Sequence, residues 1–402
     1  MFNLDSFINK YVTKRPVSMF LEDIRNNDEA VRSGIEGKRI LVIGGAGSIG
    51  SSFIKAILPY RPADLSVIDT DENALAELTR DLRSSDQTSL LLRQYTAWPV
   101  SYSSSVFEKI FRSVRGFDVI ANFSAHKHVR SEKDIFSVEA LLRNNVLDAH
   151  HLLELLCEYP PEIYFCVSTD KAANPVNIMG ASKRIMEDLI FSYSDCFPVK
   201  TARFANVAFS NGSLPAGFLE RIRKLQPLTA PSDVRRYFVS PEESGQICLL
   251  ACMLGKNREI FFPKLREFQM MSFDEIGTQL LKSYGFEVLR CGSDREAIEK
   301  AAALRKGSLH YPVYYAPSDT SGEKAYEEFY VDSETVDLER FHALGVIIQK
   351  PVPDREKVIG LLNELDNAFK RETSKEEIVR IIESFLPNFR HIETGKSLDS
   401  KM

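Results

Sequence analysis

The stretch "RILVIGGAGSIGSSFIKAIL", Arg39 to Leu58, decides how this chain folds. After Arg39 come four consecutive aliphatic residues rich in β-branched side chains, the composition of a strand covered on both faces. The stretch ends in "SSFIKAIL", whose apolar positions recur with a helical period. Between the two, Gly44, Gly47 and Gly50 stand three residues apart. Glycine permits the tight turn from strand into helix, and it lets a ligand approach the backbone. The first-turn N–H groups of Ser48, Ile49 and Gly50 would then face an anion, favoured there by the helix dipole.

Outward from this turn, the second apolar run "LSVIDTD" carries Asp69, nineteen residues beyond Gly50. A carboxylate at that place accepts both hydroxyls of a ribose and repels a 2′-phosphate, so the expected dinucleotide is NAD rather than NADP. Asp71 is a neighbouring candidate for the same role. The alternation continues through "NALAELTRDLRS", "DVIANFSA", "EALLRNNVLDAHHLLELLCEY", "IYFCVSTD", "SKRIMEDLIFSYS" and "VKTARFANV". Apolar strands joined by amphipathic helices predict an α/β, Rossmann-like doubly wound parallel sheet. The expected division is a helical lead-in over 1–37, the dinucleotide-binding domain over 38–206 with segments near 235–260 returning to it, a smaller C-terminal substrate-binding lobe over 207–350, and C-terminal helices with a tail over 351–402. Thr373 or Ser374, with Glu376 or Glu377, is expected to cap the last helix.

Composition narrows the function. Of 402 residues, 44% are hydrophobic and 27% charged, enough for a large core in a soluble globular protein. A net charge of −5 gives no attraction for the phosphates of nucleic acid, which is excluded as a partner. The six cysteines are scattered and read as reduced core thiols. His126 and His128 have no Cys or acidic partner at ligand spacing, so no metal is expected. The N-terminus lacks the apolar core of a signal peptide, and no segment approaches the ~20 apolar residues of a membrane span. A cytoplasmic location is expected.

The chemistry concentrates in "STDKAANPVNIMGASKR", Ser168 to Arg184. Ser168, Thr169, Asp170 and Lys171 emerge at the carboxyl end of the "IYFCV" strand, the edge where open α/β sheets bind ligands. Met179 and Lys183 follow four residues apart on one helical face.

Taken together, "GGAGSIGS", "KHV", "STDKAANPVNIMGASKR", "RFANVAFSNGSLPAGF", "RRYF" and "SGEKAYEEF" resemble the nucleotide-sugar 4,6-dehydratases of the extended short-chain dehydrogenase/reductase superfamily, in the polysaccharide-biosynthesis group acting on UDP-N-acetylglucosamine. The likeness spans roughly residues 16 to 390. It implies a tightly bound NAD, regenerated in each cycle, that oxidises sugar C4; water then leaves across C5 and C6, and the hydride returns to C6. On the matching positions, Thr169 would bond the 4-oxygen, Asp170 would act as acid for the 6-hydroxyl, and Lys171 would handle the C5 proton. Lys183 would hold the nicotinamide ribose. Met179 stands where most of the superfamily carries a tyrosine base, and the resemblance transfers that duty to Asp170 or Lys171. Asn122, Ser124 and Ala125 would line the cofactor, with Asn145 stabilising the cleft. Lys127, Asn206, Arg236 and Glu323 would contact the UDP-sugar. Two departures stand out: Thr320 occupies a place often held by Arg, and "YTAWPVSYS" lacks the Asp usual near the adenine. Family members are homo-oligomers, and the same is expected of this chain.

Two other functions use the same fold. A UDP-sugar 4-epimerase shares the first oxidation but normally needs the tyrosine and has no use for the Asp-Lys pair. A regulatory protein that retained NAD without turnover would tolerate Met179, yet has no need of Thr169, Asp170, Lys171 and Lys183 together.

Overall fold

Ile40, Leu41, Val42 and Ile43 are completely covered in the strand Arg39–Ile43, which has a parallel neighbour on each side. The computed structural model describes residues 2–128, 132–305, 307–318, 328–350 and 354–393. Its main sheet runs, edge to edge, through Thr335–Asp337, Leu344–Gln349, Ile260–Pro263, Val199–Phe204, Ile163–Thr169, Val119–Asn122, Arg39–Ile43, Asp64–Ile68 and Tyr95–Trp98. From Ile260–Pro263 to Tyr95–Trp98 every pairing is parallel, and Leu344–Gln349 and Thr335–Asp337 close the other edge antiparallel. This is the expected Rossmann-like sheet. The chain order reverses between Arg39–Ile43 and Val119–Asn122, leaving a crevice at their carboxyl ends.

Flanking helices cover the strands. Pro241–Leu254 packs on Ser48–Ile57 and on the strand Val199–Phe204, while Ile178–Ser192 packs on Ile163–Thr169. Gly245 permits the first of these contacts, since a Cβ there would lie 2.3 Å from the Ser52 carbonyl oxygen. Within the 207–350 span, three strands therefore belong to the main sheet.

The same span also holds a second sheet, Glu287–Arg290, His310–Ala316 and Leu228–Pro231, all parallel. It has its own core of Phe218, Ile222, Ile276, Leu280, Tyr311 and Val313. The N-terminal helices divide between the two cores: Phe7, Ile8 and Val12 join the second, and Phe20, Val31 and Ile35 the first. Helical spacing in the sequence shows an apolar face but not which core covers it. At the other end, Ser374 caps Lys375–Phe385 by accepting from the Glu377 N–H. Cys166, Cys248, Cys252 and Cys291 are buried, whereas Cys157 and Cys196, expected in the core, are exposed beyond the ends of helices. Among the described residues no helix is long and apolar enough to cross a membrane.

Beneath the sheet's functional edge lies a dry network of charges. Arg203 is completely buried, and its guanidinium forks onto Glu187 at 2.8 and 2.9 Å and onto Glu334 at 2.7 Å twice. Lys350 reaches both Glu187 and Asp188 at 2.8 Å. Burial by itself would raise the pKa of Glu187, but Arg203 and Lys350 hold it well below the ordinary carboxylate value. Such a group is worth most when every partner is present, because removing one strands the others without solvent. Replacing Arg203 by Met should therefore cost about 3–5 kcal/mol in urea unfolding; a loss under about 1 kcal/mol would show that the network contributes little.

Candidate active site

The glycine turn is built around close backbone approach. Gly44 has φ +70°, and a Cβ on it would stand 2.8 Å from the Ser124 nitrogen. A Cβ on Gly50 would lie 2.4 Å from the Gly44 carbonyl oxygen. Both distances forbid a side chain, so the turn draws the carboxyl ends of two neighbouring strands together. Gly47 caps the Ser48–Ile57 helix without a side-chain hydrogen bond, leaving the first-turn N–H groups of Ser48, Ile49 and Gly50 beyond the helix's own ladder. Asp69 turns back onto this loop and accepts from the Ala46 N–H at 3.1 Å. Asp71 instead caps the Glu72–Ser84 helix through the Ala74 N–H, so the two acids divide their tasks.

The neighbouring strand end is stiffened by its own asparagine. Asn122 accepts from the Ser124 N–H at 2.9 Å, fixing Ser124 and Ala125 beside the turn. Asn145, in the π-helical turn Arg143–Leu147, grips His126 from both sides: its Oδ1 accepts from the backbone N–H and its Nδ2 donates to the carbonyl, each at 2.9 Å. The same Nδ2 donates to Ser182 in the Ile178–Ser192 helix. Lys127 follows His126 and is exposed, though protein around its ammonium group lowers its pKa by desolvation. His128 comes up against Gly212 of the "NGSLPAGF" loop, where a Cβ would meet its ring at 2.9 Å.

At the end of Ile163–Thr169 the four polar residues face different ways. Ser168 donates to Glu187 at 2.7 Å and so anchors in the buried charge network. Thr169 Oγ1 donates to Asp170 Oδ1 at 2.7 Å. That same oxygen accepts from the Lys171 backbone N–H at 2.9 Å and from Lys171 Nζ at 3.2 Å. One carboxylate oxygen thus takes three donors, leaving Oδ2 as the oxygen with lone pairs to offer. Asp170 is 4% exposed, which keeps this acid away from bulk water.

The Ile178–Ser192 helix closes the site. Asn177 caps it through the Gly180 N–H, and Gly180 abuts the preceding loop, since a Cβ there would lie 2.8 Å from the Lys171 carbonyl oxygen. Met179 and Lys183 are both buried, and Lys183 Nζ donates to the Val167 carbonyl at 3.0 Å. Burial pushes the Lys183 pKa down to about 8. Beyond the next strand, Asn206 has a buried Nδ2 with no hydrogen-bond partner among the described residues. A buried amide left unpaired is costly, and His150 Nε2 and Arg221 Nε share that condition. Arg236 is 4% exposed in the short strand Arg235–Arg236 and donates to the Arg235 carbonyl. Glu323 and Thr320 lie outside the described residues.

The structure thus brings the glycine turn, Asp69, Ser124, Ala125, Thr169, Asp170, Lys171 and Asn206 to one edge of the sheet, with Met179 and Lys183 on the adjoining helix. Sequence reasoning missed Glu132, Glu187 and Arg203. Glu187 stands four residues after Lys183 on the same helix, a spacing that could have drawn notice, whereas Glu132 receives the Met179 N–H from 47 residues away and left no local signal. Among the described residues no cluster of His, Cys, Asp and Glu could hold a metal ion.

A family model described as polysaccharide biosynthesis protein matches residues 40–347. An uncharacterized membrane protein of Methanocaldococcus jannaschii is 30% identical over 355 residues, 86% of this chain and 95% of that one. The polysaccharide biosynthesis protein EpsC of Bacillus subtilis is 28% identical over 62% of this chain, which spans only 40% of EpsC. An inverting UDP-N-acetylglucosamine 4,6-dehydratase of Campylobacter jejuni is 23% identical, with 75% of this chain and 84% of that enzyme aligned. Among solved structures, Pen from Bacillus thuringiensis superposes with TM-score 0.62 at 20% identity, over 82% of this chain and 99% of that one. The UDP-glucose 4-epimerase of Thermotoga maritima gives 0.54 at 17%, over 73% and 90%. The dTDP-glucose 4,6-dehydratase DesIV of Streptomyces venezuelae, solved with NAD bound, gives 0.51 at 21%, over 68% and 88%. These structural likenesses concern the fold.

The buried lysine allows a direct test. Below pH ~8 the folded protein holds the Lys183 charge out of water, and this penalty fades as pH rises from about 8 toward the unfolded value of 10.5. Lys183→Met should therefore be more stable than the wild type by about 2–3 kcal/mol in urea at pH 7, the difference shrinking by pH 10. Unchanged or lower stability at pH 7 would refute it.

Proposed function

The chain belongs to the polysaccharide biosynthesis family, in the nucleotide-sugar dehydratase and epimerase branch of the extended short-chain dehydrogenases, and we propose that it dehydrates UDP-N-acetylglucosamine to a UDP-4-keto-6-deoxy-N-acetylhexosamine. The observation that carries this reading is the hydrogen-bonded Thr169–Asp170–Lys171 group at the ligand edge, beside a helix that carries the buried Met179 and no hydroxyl at its second position. A thioether cannot accept the proton of the 4-hydroxyl, so an enzyme at this site must use another base.

NAD fits the residues present. The glycine turn packs its backbone too closely for side chains at Gly44 and Gly50, a pyrophosphate would lie on the Ser48, Ile49 and Gly50 N–H groups at the helix start, and Asp69 stands beside the turn for the ribose hydroxyls. Lys183, already donating to a backbone carbonyl with one N–H, has further donors for the second ribose. When bound, NAD would supply an acceptor for the C4 hydride and return that hydride to C6.

The chain's own groups manage the protons. With substrate bound, Thr169 turns its hydroxyl hydrogen from Asp170 to the 4-oxygen, and Asp170 takes the hydroxyl proton on Oδ2. Once C4 is a ketone the C5 proton becomes acidic, and Lys171, in its neutral form, removes it. Asp170 then passes its proton to the departing 6-hydroxyl, releasing water, and Lys171 restores a proton to C5. Asn206 and Arg236 would hold the UDP portion, the amide meeting its missing partner and the guanidinium pairing with phosphate.

A 4-epimerase remains the second reading, supported by the shared fold. It has no step for the Asp170–Lys171 pair. Incubation with UDP-N-acetylglucosamine, followed by mass spectrometry, separates the two. Loss of one water is expected, an isomer of unchanged mass would establish epimerisation, and a lack of product across UDP-sugars would leave a dinucleotide-binding regulator. Lys171→Ala should abolish product while NAD stays bound; turnover at the wild-type rate in that variant would remove Lys171 from the chemistry. Asn206→Ala should raise KM for the UDP-sugar with little change in kcat, and an unaltered KM would place the nucleotide elsewhere.

A further inference from the structure

The N-terminal turn of the Ile178–Ser192 helix is held by a residue outside that helix. Met179 occupies the second helical position, where its N–H has no partner within the helix. Glu132 Oε1 accepts that N–H at 2.9 Å, so a carboxylate sits at the positive end of the helix that carries Lys183. The other oxygen, Oε2, lies 3.1 Å from His391 Nε2. With Glu132 ionised, Oε2 offers only lone pairs and His391 Nε2 is the N–H donor of this contact. Both side chains are buried, Glu132 at 6% exposure and His391 at 8%.

His391 comes from the C-terminal segment, which is fastened at independent points around this contact. Phe389 is completely buried in the main core. The Ile392 N–H donates to the Val176 carbonyl at 3.0 Å, on the loop that leads into the helix. Lys375 Nζ donates to the Glu132 carbonyl at 2.8 Å and also pairs with Glu393. Segments remote in sequence thus converge on one backbone amide next to the candidate reacting groups.

We propose that Glu132 and His391 are a positioning pair: the C-terminal segment, through His391, orients the carboxylate that fixes the first turn of the helix, and thereby sets Lys183 and the abutting Lys171 loop in register with substrate. This rests on the dehydratase reading for its effect on rate, but not for its effect on the helix. Neither residue touches the reacting atoms. Misplacing the helix start lowers turnover more than it lowers affinity, because alignment is demanded at the transition state.

The experiment compares His391→Phe, His391→Gln and the wild type. Phenylalanine keeps a ring packed beside Phe389 but has no donor, while the Gln side-chain amide offers one. For His391→Phe, amide hydrogen exchange in the peptide containing Met179 and Gly180 should speed up, kcat should fall by about tenfold to a hundredfold, and KM should stay within about threefold. In His391→Gln both exchange and kcat should return toward wild type. If His391→Phe matches the wild type in exchange and kcat, or if His391→Gln is as impaired as His391→Phe, the pair has no positioning role. Should the wild type turn over no UDP-sugar, the dehydratase reading fails, and the exchange comparison still decides this inference by itself.

Discussion

The Arg203 guanidinium holds together parts of the chain that share no local sequence. It is completely buried in the strand Val199–Phe204, and its two carboxylate partners come from the Ile178–Ser192 helix and from the turn before Thr335–Asp337. Lys350, just past the antiparallel strand Leu344–Gln349, completes the neutralisation of Glu187 and Asp188. A charge taken from water must find all its partners at once. The helix carrying Lys183, the strand before Asn206 and the returning C-terminal strands are therefore locked in one relative position. Ser168 bonds into the same network through Glu187, so this rigidity reaches the residue next to Thr169.

On that rigid base stands the polar edge that we propose takes the place of a tyrosine. Three donors converge on Asp170 Oδ1, which orients the carboxylate and leaves the lone pairs of Oδ2 unclaimed by them. Gly180 lets the helix start press against the Lys171 carbonyl, and Glu132 pins the following turn at Met179. Positions here are set by backbone contacts and shared hydrogen bonds more than by the identity of the side chain at 179. The side chain of Met179 packs into the core, while its N–H does the structural work.

Much of the site was legible because its residues sit at fixed offsets from strand ends. Gly44, Asp69 and Ser124 follow strands, Thr169 ends one and Asn206 comes two residues after another, and parallel strands in one sheet deliver their carboxyl ends to a common edge. Asp71 could not be separated from Asp69 by sequence; the structure divides them by giving Asp71 the cap of a helix. Arg203, Glu132 and His391 carried no pattern, since each owes its importance to partners 16 to 259 residues away. The antiparallel return of Leu344–Gln349 was equally hidden, because a short apolar run does not announce which sheet it joins.

The sequence by itself determined the periodic features: the strand–glycine–helix turn, the alternation that forces a parallel sheet, a cap at Thr373 or Ser374 before the last helix, and the polar cluster at the end of Ile163–Thr169. These depend on local chain geometry, which a few neighbouring residues specify. Only the tertiary structure decided which core receives the N-terminal helices, which oxygen of Asp170 stays open, and how the C-terminal segment reaches the Met179 amide. Those outcomes depend on side chains meeting across long stretches of chain, where burial makes every polar group find a partner and removes the alternatives.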